Sequence, residues 1–334
     1  MVAERKTTVR HTIESEILRR ALDGDVQAAD KFLKYLSSAN PHLCQIMQET
    51  IHDLDDVRIW PCLLRCLALH RWDDHVDCDR RSDPSASARI DQSLIEVFTK
   101  DERDWERPVK EAILTQSLED PEPLVRYASG CVLGLRGDLR AIPALAEITE
   151  SGKQQWQLRA VKALVALKDE LCGPPLLQLL IVGRGELHKE AGRALRGLGE
   201  LAKSTWLEGL NHPDSHIRWH AARGLGEIGE ARYAMILAEG LRDKNYVVRW
   251  ASADALAHLG VQAVPSTLTM LTRHELDEQF RQAAFHALNG VTSNRIKEHI
   301  KPLLVALSGS TAGVEAPMLA QRLLEDWEEV FPNR

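Results

Sequence analysis

The sequence predicts an all-α protein, an α-solenoid of stacked helical hairpins, and three observations carry that prediction. One phrase recurs: Ile217-Arg218-Trp219-His220-Ala221-Ala222-Arg223-Gly224-Leu225-Gly226, then Val248-Arg249-Trp250-Ala251-Ser252-Ala253-Asp254-Ala255-Leu256-Ala257. From Asp120 onward its period persists. Anchor positions stand at Arg126, Gln157, His188, Arg218, Arg249 and Arg281, with spacings of 31, 31, 30, 31 and 32 residues. Self-similarity at a period of about 20–50 residues is the signature of a solenoid. The third observation is composition. Aromatic residues make up only 5% of the chain, while Ala and Leu abound, and that mixture favours helix over strand.

Within each period, the seventh residue after the anchor is Leu133, Leu164, Leu195, Leu225, Leu256 or Leu288. Ala128 and Ser129, Ala160, Ala191 and Gly192, Ala221 and Ala222, and Ala283 and Ala284 occupy the middle. Small side chains let neighbouring helices approach, and the Leu fills the space between them. A Gly-containing turn follows the first helix, as in Arg136-Gly137-Asp138, Leu198-Gly199-Glu200, Ile228-Gly229-Glu230 and Leu259-Gly260. Glycine there accepts the left-handed conformation that ends a helix. Second helices are expected over 141–150, 202–210, 231–241 and 263–271.

Upstream the pattern is degenerate. A helix opens at Thr12 and closes at Asp23-Gly24-Asp25, and others are expected over 26–36, 42–52 and 59–69. Residues 1–72 are read as an N-terminal helical region of degenerate repeats or a cap. Residues 73–87 are acidic, Ser-rich and nearly free of large apolar side chains. They bury too little to fold alone, and are expected to form an exposed insertion loop. Helices resume over 88–99 and 108–118, so the repeat region is placed at 88–334.

The spaced phrase Asp-x-x-x-x-Val-Arg-x-x-Ala-x-x-x-Leu-x-x-x-Gly-Asp-x-x-Ala-Ile-Pro-x-Leu is clearest at 120–145, 214–237 and 243–268. It resembles the HEAT-like repeats of the short type named after phycobilin lyases, over about 120–334. The resemblance implies a superhelix of HEAT-like hairpins. It implies no single activity, since similar repeats serve lyases, hydroxylases, adaptors and chaperones. The deoxyhypusine hydroxylases among them bind two irons through His-Glu pairs just after the anchor. Here those positions read Tyr127-Ala128, Leu158-Arg159, Lys189-Glu190, Trp219-His220, Trp250-Ala251 and Gln282-Ala283. None is His-Glu, and His274-Glu275 lies out of register, so that activity is not expected. A phycobilin lyase or chaperone acting on a chromophore-bearing partner remains an alternative.

The anchor arginines invite comparison with a phosphate-binding ladder. Yet Asp120, Asp214, Asp243 and Asp277 precede them. Such an Asp caps a helix, and Arg's planar fork suits pairing with it or with a neighbouring Asp. Net charge is −7. The expected second helices carry Glu147, Glu150, Glu208 and Glu239 beside Lys203, Arg232 and Arg273. Binding of nucleic acid needs a basic groove, so a nucleic-acid-binding HEAT-like protein ranks only as a further alternative. No apolar run reaches membrane-spanning length, no signal-peptide core opens the chain, and the scattered cysteines suit reduced thiols. A cytoplasmic protein is expected.

Two clusters have metal-ligand chemistry. Cys62, Cys66 and His70 recur every four residues, with His75 and Cys78 beyond. A helix face plus a loop can assemble a tetrahedral zinc site, but Leu63, Leu64, Leu67 and Leu69 equally suggest buried thiols. His212, His216 and His220 with Asp214 form the second cluster, and a polar repeat edge explains them as well. Neither is assigned a metal, and no cofactor is expected. No nucleophile elbow or phosphate loop is present, so catalysis is not the expectation. The chain reads as a scaffold or adaptor that binds another protein. Trp219, Trp250 and Tyr127, each directly after an anchor, and Trp206 and Tyr233 on second helices are its candidate contacts.

Overall fold

The computed structural model describes residues 106–330 without a break, together with 59–69, 95–100 and parts of 16–32. Every regular element among the described residues is helical. The chain packs as two units, residues 1–168 and 169–334. The expected boundaries at 72 and 87, the insertion at 73–87 and the helix at 42–52 lie outside the described residues.

In the first unit, α1 (Ile59–Leu69), α2 (Glu106–Ser117), α4 (Ile142–Ser151) and α5 (Gln154–Leu167) all pack on α3 (Pro123–Leu135). Val125, Ala128, Val132 and Leu133 of α3 are buried there. A Cβ at Gly134 would stand 2.8 Å from that of Ala163, so α3 and α5 touch almost backbone to backbone.

In the second unit, α6 (Gly173–Val182), α7 (Glu186–Gly197), α8 (Lys203–Gly209), α9 (Ser215–Ile228), α10 (Ala234–Glu239) and α11 (Tyr246–Leu259) follow in hairpin order. They continue through α12 (Val264–Arg273), α13 (Glu278–Asn289), α14 (Asn294–Ser308), α15 (Ala312–Glu325) and the short α16 (Trp327–Val330). First helices α9, α11 and α13 lie side by side, and α10 and α12 pack beneath them. This is the stacked-hairpin α-solenoid that the repeat predicts. Its core is the predicted ladder: Leu195, Leu225, Leu256 and Leu288 are each at most 1% exposed.

Glycines close the first helices as expected. Gly137, Gly199, Gly229 and Gly260 all have φ between 56° and 82°, where a Cβ is strained. Lys168 takes φ 51° at the end of α5. The second helices differ from expectation at their starts. Leu139–Ala141, Gly199–Ala202, Ala231–Tyr233 and Gly260–Ala263 are 3₁₀ turns, so α10 begins at Ala234 rather than 231 and ends at Glu239 rather than 241. Asp138 holds the first of these turns by accepting the Arg140 N–H at 3.0 Å. Such tight turns are common at helix termini.

Five of the six anchors share one bond. Arg126 donates to the Asp120 carbonyl at 2.8 Å, Gln157 to Thr149 at 3.2 Å and His188 to Leu180 at 2.8 Å. Arg218 donates to His212 at 2.8 Å and Arg249 to Asp243 at 2.7 Å. Each acceptor lies at the end of the preceding second helix, or of α2 for Arg126, or in the turn after it, where carbonyls lack helical partners. Arg281 departs from this, reaching the Gly309 carbonyl at the end of α14 at 3.3 Å.

Carboxylates add to two anchors. Arg218 grips Asp243 of the next repeat with two bonds, 2.7 and 2.9 Å, and that hydrogen bond raises the Arg218 pKa. Arg126 pairs with Glu147 at 2.5 Å. The Asp caps are as expected at Asp214 and Asp277, which accept from the N–H groups of His216 and Phe280. At the other two sites the cap moves two residues on, to Glu122 and Asn245. Asp120 and Asp243 instead accept from the N–H groups of those residues, tightening the turn ahead of the helix.

Leu225 and Leu256 sit wholly inside this core. Replacing either with Ala is expected to lower unfolding free energy by about 2–5 kcal/mol. Chemical denaturation checks this, and a loss below about 0.5 kcal/mol for both would mean the repeat register is wrong.

Candidate functional site

An anchor turned inward to a carbonyl leaves the next residue off the core stripe. In α9 and α11 that residue is a tryptophan. Trp219 is half-buried and Trp250 is 40% exposed. Both line one groove between α9 and α11, about 540 Å³ in volume, together with Arg223, Glu227, Val247 and Asp254. Its floor is made of small residues. A Cβ on Gly226 would lie 2.6 Å from that of Ala255, so the helices meet closely below while the indoles rise above.

The groove's polar groups are held in place. The Arg223 guanidinium lies 4.9 Å from the Trp219 ring centre, a cation–π distance. Trp250 meets His286 edge-on at 4.9 Å, and His286 Nε2 is 2.7 Å from Asp254. The site therefore offers two aromatic faces flanked by charges of both signs. Apolar side chains inside a polar rim are the general make-up of protein interfaces.

The other three expected contacts are corrections, because the structure buries them. Trp206 is fully enclosed, and a Cβ on Gly224 would fall 2.3 Å from its indole. The glycine is small so that the ring can fill the gap between α8 and α9. Tyr233 is buried with its hydroxyl donating to Glu200 at 3.1 Å. Tyr127 follows an anchor as Trp219 does, yet Trp156 of the next repeat covers it edge-on, and its hydroxyl meets Ser151 at 3.0 Å. These three side chains hold hairpins together and offer a partner little surface.

The histidines regroup. His212 Nδ1 accepts the Asp214 N–H at 3.1 Å, and Asp214 accepts that of His216, so both are committed to the turn before α9. His216 and His220, one turn apart on α9, instead converge with His188 of α7. One ligand nitrogen from each lies within 4.8 Å of the others. His220 is buried, and its pKa falls to about 3, first through desolvation, then through His216, His188, Arg196 and Arg223. Sequence reasoning read His188 only as an anchor. The missing signal was a pairing across repeats, an anchor His against the second residue past the following anchor.

The residues of the Cys62, Cys66, His70, His75 and Cys78 cluster have no described side chains. Cys131 and Cys172 are free and buried, and burial raises both thiols. No described helix is long and apolar enough to cross a membrane. Arg126 and Arg218 are spent on carbonyls and carboxylates, and the buried Arg249 on the Asp243 carbonyl, which speaks against a phosphate ladder at these three positions.

Because Trp206 is core, Trp206→Ala is expected to cost about 3–5 kcal/mol of stability. Chemical denaturation of the full chain measures it. A loss under about 1 kcal/mol would return Trp206 to the surface candidates.

Residues 203–289 match the HEAT repeat family. No curated protein matches the chain. Among solved structures, an engineered protein aligns with 95% of this chain and 94% of its own, at 16% identity and a TM-score of 0.35. The complex of CpcE and CpcF of phycocyanin lyase from Nostoc sp. PCC7120 aligns with 80% of this chain and 94% of its own, at 19% identity and a TM-score of 0.30. Human deoxyhypusine hydroxylase aligns with 70% of this chain and 96% of its own, at 20% identity and a TM-score of 0.28. The matched segment contains the recurring phrase at 214–237 and 243–268.

Proposed function

We propose that the chain is a non-catalytic scaffold or adaptor of the cytoplasm that binds another protein through the groove between α9 and α11. The observation that supports this reading is the pair Trp219 and Trp250. They hold equivalent positions in consecutive repeats, remain accessible and line one concavity. Equivalent residues of stacked helices stand about 8–10 Å apart, a spacing that one extended segment spans in a few residues. Burying an apolar side chain of the partner between two indoles supplies affinity. Arg223, Glu227 and Asp254 at the rim supply register and charge selection. HEAT repeats suit such a role because stacking creates long continuous surfaces.

The double variant Trp219→Ala/Trp250→Ala is expected to lose the principal protein partner recovered by affinity purification from native cells, with its melting temperature nearly unchanged. Truncating true interface tryptophans costs about 2 kcal/mol or more in binding, roughly thirtyfold in Kd. Retention of that partner would refute the groove as the interface. Unfolding of the variant would assign both indoles to the core.

A further inference from the structure

We propose that His188, His216 and His220 form a binding site for a divalent transition-metal ion, with zinc as its best-matched occupant. The three rings come from two repeats. His188 lies on α7, while His216 and His220 lie one turn apart on α9. Their ligand nitrogens lie within 4.8 Å of one another. The rings pack at centroid distances of 4.9, 5.4 and 4.8 Å.

The anchor bond makes His188 a ligand. Its Nδ1 lies 2.8 Å from the Leu180 carbonyl, an acceptor only, so Nδ1 carries the proton. Nε2 then presents its lone pair. A metal-binding histidine has its tautomer fixed in the same way by a carbonyl behind it. Nε2 of His188 and Nδ1 of His220 are both buried and have no hydrogen-bond partner among the described residues. Buried polar atoms of this kind call for an explanation, and one ion answers for both. Gly192 makes the space: a Cβ there would stand 3.2 Å from His220 Cε1.

His216 is exposed, so the cluster opens to solvent on its side. That side provides an entry path and leaves a fourth position for water or for a partner's donor atom. Zinc takes imidazole nitrogens at about 2.0–2.1 Å, which sets neighbouring donors about 3.3 Å apart. The present spacing, up to 4.8 Å, contracts on binding through rotation of the three rings. The neighbouring cations Arg196 and Arg223 both reach Glu227, each at 3.5 Å, which offsets their charge. Three imidazoles without a thiolate suit zinc and its late first-row neighbours rather than calcium or magnesium. The Trp219 ring of the groove packs on His220 at 4.6 Å and on His216 at 5.6 Å, but the ligand nitrogens are not part of the groove, and zinc titration and partner recovery read the two proposals separately.

Chelator-treated full-length protein is titrated with zinc chloride by calorimetry, beside His188→Gln, His216→Ala and His220→Gln. Glutamine at 188 keeps a donor for the Leu180 carbonyl, as Gln157 does for Thr149. His216→Ala touches only an exposed ring, so it keeps the test open should a buried substitution unfold the chain. Each folded variant is expected to bind zinc at least about tenfold more weakly at one site. With cobalt(II), the wild-type minus variant difference spectrum is expected to show visible d–d bands without thiolate charge transfer. Unchanged zinc binding in all folded variants, or a difference spectrum dominated by thiolate charge transfer, would overturn the site.

Discussion

One contact organises the repeat: a donor at the anchor position that satisfies a carbonyl where the preceding helix ends. Helix termini leave carbonyls without partners, and a hairpin stack creates such an end in every repeat. Here the donors differ, a guanidinium at Arg126, Arg218 and Arg249, an amide at Gln157 and an imidazole at His188. The acceptor chemistry stays the same. A cation adds attraction to the negative end of the helix, and Arg218 and Arg126 add carboxylate pairs. The repeat therefore needs a donor in that place, not one particular residue.

Both proposed sites follow from that constraint. With the anchor directed inward, the residue after it is released from the core unless a neighbour covers it. Trp156 covers Tyr127, whereas Trp219 and Trp250 stay accessible above a floor of Gly226 and Ala255. Where the anchor is histidine, satisfying the carbonyl uses one ring nitrogen and leaves the second without a partner among the described residues, in a ring packed against His216 and His220. The scaffold bond and the proposed ligand set are two ends of one side chain.

Much of this architecture was legible in the sequence. The anchor-to-Leu spacing located Leu195, Leu225 and Leu256 in the core, and glycine punctuation located the positive-φ turns. Less legible was which aromatics lie outside. Trp206, on a second helix, and Trp219, directly after an anchor, both read as surface candidates. Only the absence of a side chain at Gly224, across the helix interface, decides that Trp206 is enclosed. The cap shift to Asn245 was hidden because Asp243 and Asn245 are both good caps, and the shift to Glu122 because Asp120 is the better cap by residue type. The histidine triad was hidden for a third reason. Helical spacing pairs His216 with His220, but His188 joins them through inter-repeat packing, which no local pattern encodes.

The measurement that tests the anchor contact most directly is an exchange of donors in the first unit, away from both proposed sites. Gln157→His retains a donor for the Thr149 carbonyl, and Gln157→Leu removes it with little change in bulk. By chemical denaturation, Gln157→His is predicted to stay within about 0.5 kcal/mol of the parent, and Gln157→Leu to lose roughly 1–2 kcal/mol from the unmade hydrogen bond. Equal losses in the two variants, or no loss in either, would contradict the claim that a carbonyl-directed donor is what the anchor position requires.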